Sequence, residues 1–413
     1  MKFVTIRACI YGLLIWFAFA FSFEVVYASL RENTLIDAAK HFIYKNDNYA
    51  TSKPDELKAA LGSRIFEDTR LSFNGKMSCA TCHIDKFGSS DGLKNSIGVG
   101  GHGEGIERLN SDGVVVPRNS MALWGRGEPD FSVFFWDGKV EKTDDTINSQ
   151  FGDMLPSDDP LTVAIHLPFV EIREMVIDDQ IVDETLKNES ISSAEAIYDT
   201  LVSRVQSDPD YVKEFESAYS LQAADIKFIH IADAIKNFIQ SKFKLKTTKF
   251  ENYVRTEQGL SETEIAGGLI FFGKGKCASC HSGRHFTDFK FYSVPFPQAG
   301  FGKNGFGVDY GRFNVTHNPD DLYKFRTPSL INVEKTDPYG HSGSTSNLKE
   351  AIIAHFDPLR LVDSNQMNPL ERSELYKKIL ASNNGAKNIA YMDDPEIEKL
   401  VAFLKTLSYK EEE

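Results

Sequence analysis

The stretch Cys79-Ala80-Thr81-Cys82-His83 recurs later in the chain as Cys277-Ala278-Ser279-Cys280-His281. Both copies have the pattern Cys-x-x-Cys-His, which is the attachment signature of c-type haem. The two thiols form thioether bonds with the vinyl groups of the porphyrin, and two intervening residues let both sulfurs reach one ring. The histidine that follows lies under the ring and becomes the proximal iron ligand. The sequence therefore predicts two covalently attached haems.

Two other interpretations of these motifs are weaker. A redox-active dithiol needs no histidine after its second cysteine, and a zinc site would need further ligands close by. The chain has five cysteines, of which Cys9 lies in the N-terminal segment and the other four belong to the two motifs. No thiol is left for a structural disulfide, so we expect the covalently held cofactors to act as staples instead.

The composition is that of a globular protein of about two domains. The chain has 413 residues, and its hydrophobic fraction of 41% is enough for packed cores and excludes a disordered chain. With 46 basic and 59 acidic residues, the net charge is −13. This acidic balance argues against nucleic acid as a partner and indicates no basic surface for a membrane, although it suits a basic partner protein.

Residues 1–28 have the features of a secretory signal peptide. A charged start is followed by an apolar run over residues 8–23, and Val26-Tyr27-Ala28 resembles a cleavage site. An uncleaved anchor is the alternative, but the apolar run is short for a membrane span, so we expect cleavage near Ala28 and no stable membrane insertion. Bacteria attach haem to Cys-x-x-Cys-His after export, so the signal and the motifs together predict the periplasm.

The rest of the sequence indicates a mainly α fold, with two c-type cytochrome-like haem domains and long cofactor-wrapping loops. Residues 141–190 are acidic and give few periodic signals. Apolar spacing, capping residues and prolines predict helices that begin after Pro54 and at the capping box Ser261-Glu262-Thr263-Glu264, and over residues 193–205, 223–243, 347–356, 369–379 and 395–407.

A basic stretch over residues 242–249 marks the predicted domain boundary. The signal peptide would occupy residues 1–28, the N-terminal haem domain residues 29–245 and the C-terminal haem domain residues 246–413. The last helices of the chain could pack back on the first domain.

The sequence around both motifs resembles the bacterial dihaem cytochrome c peroxidase superfamily, which includes the methylamine dehydrogenase maturation enzymes. The resemblance covers most of residues 55–410 and is weakest over residues 141–225. It rests on short motifs in a fixed order, which include Leu61-Gly62, Asp68-x-Arg70-Leu71-Ser72, Ser96-Ile97-Gly98, Pro117-Arg118-Asn119-Ser120, Phe135-Trp136-Asp137-Gly138, Phe325-Arg326-Thr327-Pro328-Ser329-Leu330 and Pro338-Tyr339-x-His341-Ser342-Gly343.

This resemblance implies an oxidoreductase that reduces hydrogen peroxide at the N-terminal haem, with electrons from a small donor protein that pass through the C-terminal haem. It gives Trp136 the role of electron bridge, although most tryptophans are simply core aromatics. Two alternatives stay open. One is a maturation-type enzyme that uses peroxide or oxygen to oxidise a partner protein or an organic substrate, and the other is a dihaem electron carrier without catalysis. A homodimer also stays open.

The resemblance also implies a glutamate, followed by methionine, that moves a proton between the two oxygens of peroxide. Glu174-Met175 matches this pattern, and Glu171 is the runner-up. Gln150 is the candidate for a second polar group on the distal side. The ordinary interpretation of either glutamate is a surface acid.

Short peroxidases of the family carry an iron-ligating histidine shortly after Ser-Ile-Gly. Here Ser96-Ile97-Gly98 is followed by Val99, which cannot bind iron. His102 is the nearest replacement, but it lies in a glycine-rich run and is better interpreted as a solvated loop residue. We therefore expect the iron on His83 to be five-coordinate or water-bound.

The second haem site departs from the family pattern. Members of the family keep methionine or tyrosine fourteen residues after His341, and that position is His355 here. Leu348, Ile352 and His355 share one helix face, so His355 is the predicted second axial ligand, with Met367 as the alternative and a buried core histidine as the ordinary interpretation. A second imidazole gives a lower haem potential than a thioether ligand.

A calcium ion between the domains is implied by the resemblance alone. Its ligands would be Asn119 and the backbone carbonyls of Thr336 and Pro338. Oxygen-only ligation suits calcium, although these residues could equally be turn formers.

Overall fold

The computed structural model describes residues 30–45, 49–176, 190–385 and 389–409. The predicted signal peptide and its cleavage site near Ala28 lie outside the described residues. Helices account for 44% of the structure and strands for 7%, which confirms the prediction of a mainly α fold. Among the described helices, none has the length and apolar character that crossing a bilayer requires.

The described α-helices follow one another along the chain as α1 (30–42), α2 (Glu56–Glu67), α3 (Ile106–Leu109), α4 (Pro160–His166), α5 (Ile191–Gln206), α6 (Pro209–Tyr219), α7 (Phe228–Lys242), α8 (Lys249–Thr256), α9 (Glu262–Phe272), α10 (Phe313–Thr316), α11 (Leu348–Ala354), α12 (Pro369–Gly385) and α13 (Asp394–Lys405). Short 3-10 helices lie between them, and two of these, Cys79–Thr81 and Cys277–Ser279, begin at the first cysteine of each motif and end just before the second.

The strands are short and pair antiparallel. A three-stranded sheet has the order β1 (Val133–Phe134), β2 (Val140–Thr143) and β3 (Thr146–Ser149), and two-stranded sheets pair β4 (Phe291–Tyr292) with β7 (Phe325–Arg326) and β5 (Phe301–Gly302) with β6 (Gly305–Phe306). In the first sheet Val140 lies opposite Phe134 and Ser149. The pair β4–β7 brings the loop after the second motif against Phe325 and Arg326.

Capping residues explain where several helices begin. The carboxylate of Asp55 accepts hydrogen bonds from the first backbone amides of α2. The predicted capping box of α9 is confirmed, because Ser261 and Glu264 each accept from the other's backbone amide. Asp393 and Glu396 form the same box at the start of α13.

The structure also contains α4, α6 and α8, which the sequence analysis does not predict. Both α4 and α6 begin with an Asp-Pro pair, in which the aspartate caps the helix and the proline occupies its first turn. The helix α7 begins at Phe228 and not at residue 223, since Ala223–Asp225 form a 3-10 turn and Ile226 is extended. Start signals were therefore present in the sequence for α4 and α6.

Buried apolar residues form two clusters. The first contains residues of α2, α4, α5, α6 and α7, and the second contains residues of α1, α8, α9, α11 and α13. Leu35 and Ile36 of α1 belong to the second cluster, although the predicted boundary would place α1 in the first domain. The division into domains at residue 245 stays a prediction.

The helix before each haem motif packs closely on a later helix, and a glycine permits this contact in both cases. A side chain at Gly62 of α2 would collide with the carbonyl of Ala234 in α7, and one at Gly267 of α9 with the carbonyl of Lys399 in α13. Both pairs of helices therefore approach backbone to backbone. Each attachment motif follows the helix that is held in this way.

Candidate functional site

The first motif lies at the edge of the first cluster. Cys79 and Cys82 are free, partly buried thiols that pack against its apolar side chains. The Nδ1 atom of His83 lies 2.9 Å from the carbonyl oxygen of Ser89. In this hydrogen bond Nδ1 carries the proton, so Nε2 keeps the lone pair that can bind a metal.

The second motif repeats this arrangement. Cys277 and Cys280 are free and partly buried, and the Nδ1 atom of His281 lies 3.1 Å from the carbonyl oxygen of Phe286. The two cysteines and His281 line one cavity. Most of the other lining side chains are apolar, among them Phe271, Leu348, Ile352, Leu400 and Leu404.

His355 lines the same cavity as His281. It follows the last residue of α11, and its Nδ1 atom lies 2.7 Å from the carbonyl oxygen of Ala351, which again leaves Nε2 free for a metal. Met367 is not among the residues that line the cavity. Two thiols, two oriented imidazoles and apolar walls fit a covalently attached haem with two histidine ligands.

Buried His166 shows that the hydrogen bond alone does not identify an iron ligand. Its Nδ1 atom lies 2.7 Å from the carbonyl oxygen of Thr162, as in the three histidines above. Its ring, however, contacts the aromatic rings of Phe151, Tyr198 and Phe228. His166 is therefore a satisfied core histidine.

Trp136 lines the cavity of the second motif and is linked to the first motif by hydrogen bonds. Its indole Nε1 donates to the carbonyl oxygen of Asn119 at 2.9 Å. The next residue, Ser120, donates from its hydroxyl to the carbonyl oxygen of Cys82 at 3.0 Å. A short chain of contacts thus runs from Cys82 to the wall of the second cavity.

An ion-pair cluster holds the Trp136 segment between the two halves of the chain. The partly buried Arg118 donates to buried Asp137 at 2.6 Å and, through two nitrogens, to buried Asp309 at 2.9 Å. Because Asp137 follows Trp136 directly and Asp309 lies in the second half, Arg118 joins both halves beside the tryptophan.

Glu174 and Glu171 lie in one partly buried charged group but differ in protonation. Burial, together with the nearby negative charge of Glu171, raises the pKa of Glu174 to about 7. Burial also acts to raise the pKa of Glu171, but Lys139, whose Nζ lies 2.7 Å from the carboxylate, and Lys303 bring that pKa below its usual value. Glu174 is therefore the protonatable member of the pair.

The segment that ends in Val99 packs directly against the residue before Glu174. A side chain at Gly98 would collide with the carbonyl of Arg173, and the backbone amide of Val99 donates to the same carbonyl at 3.1 Å. Val99 is fully buried, whereas His102 is exposed. This contact explains why glycine stands before Val99.

The other predicted site residues are placed less favourably. Gln150 is exposed in the turn after β3, so the structure gives no support to a role on the distal side, which stays a prediction. The amide nitrogen of Asn119 donates to the carbonyl oxygen of Pro338 at 2.5 Å, and the hydroxyl of Thr336 donates to Val333. The described residues contain no group of three or more His, Cys, Asp or Glu that could hold a metal ion.

Sequence reasoning missed Lys139, which separates the roles of the two glutamates. Its only signal is its place directly after Phe135-Trp136-Asp137-Gly138. Two buried arginines in the cavity wall, Arg126 and Arg326, were also missed, and Arg326 was noted only as part of a motif.

Comparisons with known proteins agree with this arrangement. A family model described as di-haem cytochrome c peroxidase matches residues 56–259. The methylamine utilization protein MauG of Methylorubrum extorquens is 28% identical over 333 residues, which cover 79% of this chain and 76% of that protein. Cytochrome c551 peroxidase of Pseudomonas aeruginosa is 28% identical over 304 residues, which cover 72% of this chain and 71% of that protein.

Solved structures show the same fold. A MauG-like protein associated with microbial copper homeostasis has a TM-score of 0.61 and 25% identity, and the match covers 86% of this chain and 90% of that one. The diheme peroxidase BthA from Burkholderia thailandensis has a TM-score of 0.59 and 18% identity, and the match covers 87% of each chain. The prediction of the family is confirmed, and haem c is the cofactor that it implies. This chain belongs to the di-haem cytochrome c peroxidase family, a family of haem oxidoreductases.

Proposed function

We propose that this protein is a periplasmic enzyme that reduces hydrogen peroxide at the His83 site, with electrons that enter at the His281 site. One contrast carries the proposal. His281 shares its cavity with a second histidine, whereas the first site has a buried valine and a protonatable glutamate. When bound, the haems would supply the redox chemistry: His281 and His355 would hold the iron used for electron transfer, and His83 would hold the iron that reacts with peroxide.

Glu174 acts as the general acid–base in this proposal. It takes the proton from the near oxygen of peroxide and gives it to the far oxygen, which leaves as water. A pKa near 7 lets one carboxyl group do both, because its ionised and protonated forms are similar in free energy at neutral pH. Glu171 is less suited, since Lys139 and Lys303 hold it in the ionised form.

Trp136 is the proposed electron bridge. Its ring forms part of the second cavity wall, and its indole is fixed by Asn119, whose neighbour Ser120 contacts Cys82. Two electrons from the donor and two protons convert one peroxide into two waters, so two electrons must pass through this route in each turnover.

The test is to mix the fully ferric protein with hydrogen peroxide in a stopped-flow spectrometer. If the His83 site is open, the high-spin spectrum changes rapidly without prior reduction of the other site. A reaction that requires half-reduction first would mean that His102 or another group closes the site. Steady-state peroxide consumption with several donor proteins then identifies the electron donor class.

A second candidate function is oxidation of a partner protein or an organic substrate with the same oxidising power. Two observations favour it: the second cavity contains His355 and not a methionine, and one relative carries the name methylamine utilization protein MauG. Two imidazoles lower the haem potential and so disfavour electron uptake from a high-potential donor. Slow turnover with such donors, together with peroxide-dependent oxidation of an added protein, would select this candidate over the first.

Export and calcium binding belong to the same proposal. Asn119 and Pro338 are neighbours, but the amide nitrogen of Asn119, and not its oxygen, faces the carbonyl of Pro338, so the calcium proposal rests on the family resemblance alone. Removal of calcium with a chelator should lower the thermal unfolding midpoint, and added calcium should restore it. An unchanged midpoint would leave these residues as turn formers. Intact mass of the exported protein should show cleavage near Ala28 and two added haems.

A further inference from the structure

Two buried arginines face the cavity that contains His281 and His355. Arg126 is 8% exposed and Arg326 is 2% exposed. The two side chains come from different halves of the chain, Arg126 from the loop before β1 and Arg326 from β7. Both guanidinium groups therefore belong to the wall of one mostly apolar cavity.

Within the described residues, neither arginine pairs with an acid. Arg126 donates from Nε to the carbonyl oxygen of Ala122 at 2.7 Å. Arg326 donates to the carbonyl oxygens of Phe135, at 3.1 Å, and Thr327, and to the sulfur of Met121. All of these acceptors are neutral.

The two positive charges are close enough to repel each other. Burial lowers the pKa of Arg126 to about 10, and burial together with the charge of Arg126 lowers the pKa of Arg326. No acidic side chain counters either shift. A buried and unpaired charge is costly, and hydrogen bonds to neutral groups only partly offset that cost. An anion bound in the cavity beside the two guanidinium groups would therefore stabilise their charges.

Trp124 offers a further donor at the same wall. Its indole nitrogen is buried and has no hydrogen-bond partner in the described structure. Buried indole N–H groups normally find a partner, so this atom points to an acceptor on the group that fills the cavity.

We propose that Arg126 and Arg326 form a carboxylate-binding subsite that holds the two propionate groups of the haem at Cys277 and Cys280, with Trp124 as an additional donor. The charges match, because two guanidinium groups meet two carboxylates. Guanidinium also offers paired N–H groups that fit a carboxylate in a bidentate manner. The proposal rests on attachment of haem at this motif and not on the reaction with peroxide.

This subsite changes the electronic balance of the second site. A fixed positive charge near the iron favours the ferrous form, whereas the second imidazole favours the ferric form. Arg126 and Arg326 thus raise a potential that His355 lowers.

The experiment is a spectroelectrochemical titration of the low-spin haem in the exported holoprotein. In Arg126→Gln, the potential should fall, and the equilibrium constant for reduction by a fixed donor should drop on the order of tenfold. Arg126→Lys keeps the charge and should restore most of the original potential. Arg284→Gln is the matched control, because Arg284 is also poorly exposed but pairs with Asp130 and Glu128. The potential of the low-spin haem should not change in the Arg284→Gln variant.

Two results would overturn the proposal. One is a haem potential that is unchanged in the Arg126→Gln variant, when intact mass shows that this variant still carries both haems. The other is a saturable shift of the unmodified protein's potential with acetate but not with chloride at equal ionic strength, which would assign the subsite to free carboxylates. Failure of the unmodified protein to reduce peroxide would contradict the proposed function and leave this titration valid.

Discussion

The two attachment sites are built alike but have different surroundings. In both, a helix with a buried glycine precedes the motif, and the histidine is oriented through Nδ1 by a backbone carbonyl. His281 shares a cavity with His355, whereas Glu174 lies close enough to Cys82 of the first motif that burial and the Glu174 charge both raise the pKa of that thiol. Val99 belongs to the segment that packs against Arg173, the residue before Glu174. Covalent attachment therefore defines the proximal side of each cofactor. Residues from distant parts of the chain decide what each site can do.

The largest effect is expected from Glu174→Gln, which removes the proposed proton carrier from the first site only. The amide cannot take a proton from peroxide, so the rate of the peroxide step should fall 10²- to 10⁴-fold, in the range of about 10²–10⁴ that general acid–base catalysis contributes. Stopped-flow mixing measures this rate, and the spectrum of the second haem should stay unchanged.

Glu171→Gln is the matched comparison for this variant, since it removes the neighbouring carboxylate of the same charged group. It should slow the peroxide step less than Glu174→Gln does. If Glu171→Gln gave the larger loss, the proton-transfer role would belong to Glu171.

Asp309→Asn tests the ion-pair cluster that joins the two sites. Arg118 would lose one of its two carboxylate partners in a buried position, so the free energy of unfolding should fall by about 3 kcal/mol. The ion pair with Arg118 keeps the pKa of Asp309 below its usual value against the effect of burial. Its stabilisation is therefore present at neutral pH and lost in acid.

Urea unfolding at pH 7 measures the change in stability for Asp309→Asn. Asp320→Asn, at an exposed position in the same half of the chain, is the control and should change the free energy of unfolding little. Equal stabilities for both variants would mean that the cluster does not hold the halves together.

His355→Met makes the second site resemble the methionine-containing members of the family. The thioether should raise the haem potential, and turnover with a high-potential donor should increase on the order of tenfold if electron uptake limits it. Visible spectra of the unmodified protein should lack a sulfur-to-iron charge-transfer band. Such a band in the unmodified protein would favour Met367 as the ligand.

The smallest expected effect is the pH dependence of the first site. Glu174 must be ionised to accept the proton, and its raised pKa places that ionisation near pH 7. The peroxide step should therefore accelerate about tenfold between pH 6 and pH 8. The rate in the Glu174→Gln variant should not change with pH in this range. If the variant showed the same tenfold acceleration, the ionisation would belong to another group.

Features that depend on residues close together in the chain were predictable from the sequence. The capping box at Ser261 and the family followed from short patterns and were confirmed, and the family implies haem c. The family resemblance ranked Glu174 above Glu171, but the physical difference between them was not accessible, since it depends on Lys139, which precedes Glu171 by 32 positions. Likewise, no local pattern distinguishes exposed Gln150 from a buried polar group.

The buried arginines could not be predicted for a different reason. Arg126 and Arg326 come from separate halves of the chain. The proposed role of these arginines depends on the absence of an acidic side chain beside them among the described residues. A sequence shows which charges exist but not which of them are left without a counter-charge after folding.

Arg118 also imposes an order on how the chain matures. Asp137 is synthesised soon after it, but Asp309 follows 191 positions later. An export intermediate that ends before Asp309 contains the first attachment motif and Trp136 but lacks one of the two carboxylates in the ion-pair cluster of Arg118. The ion-pair cluster beside Trp136, the proposed electron bridge, is thus complete only when the second half of the chain is present.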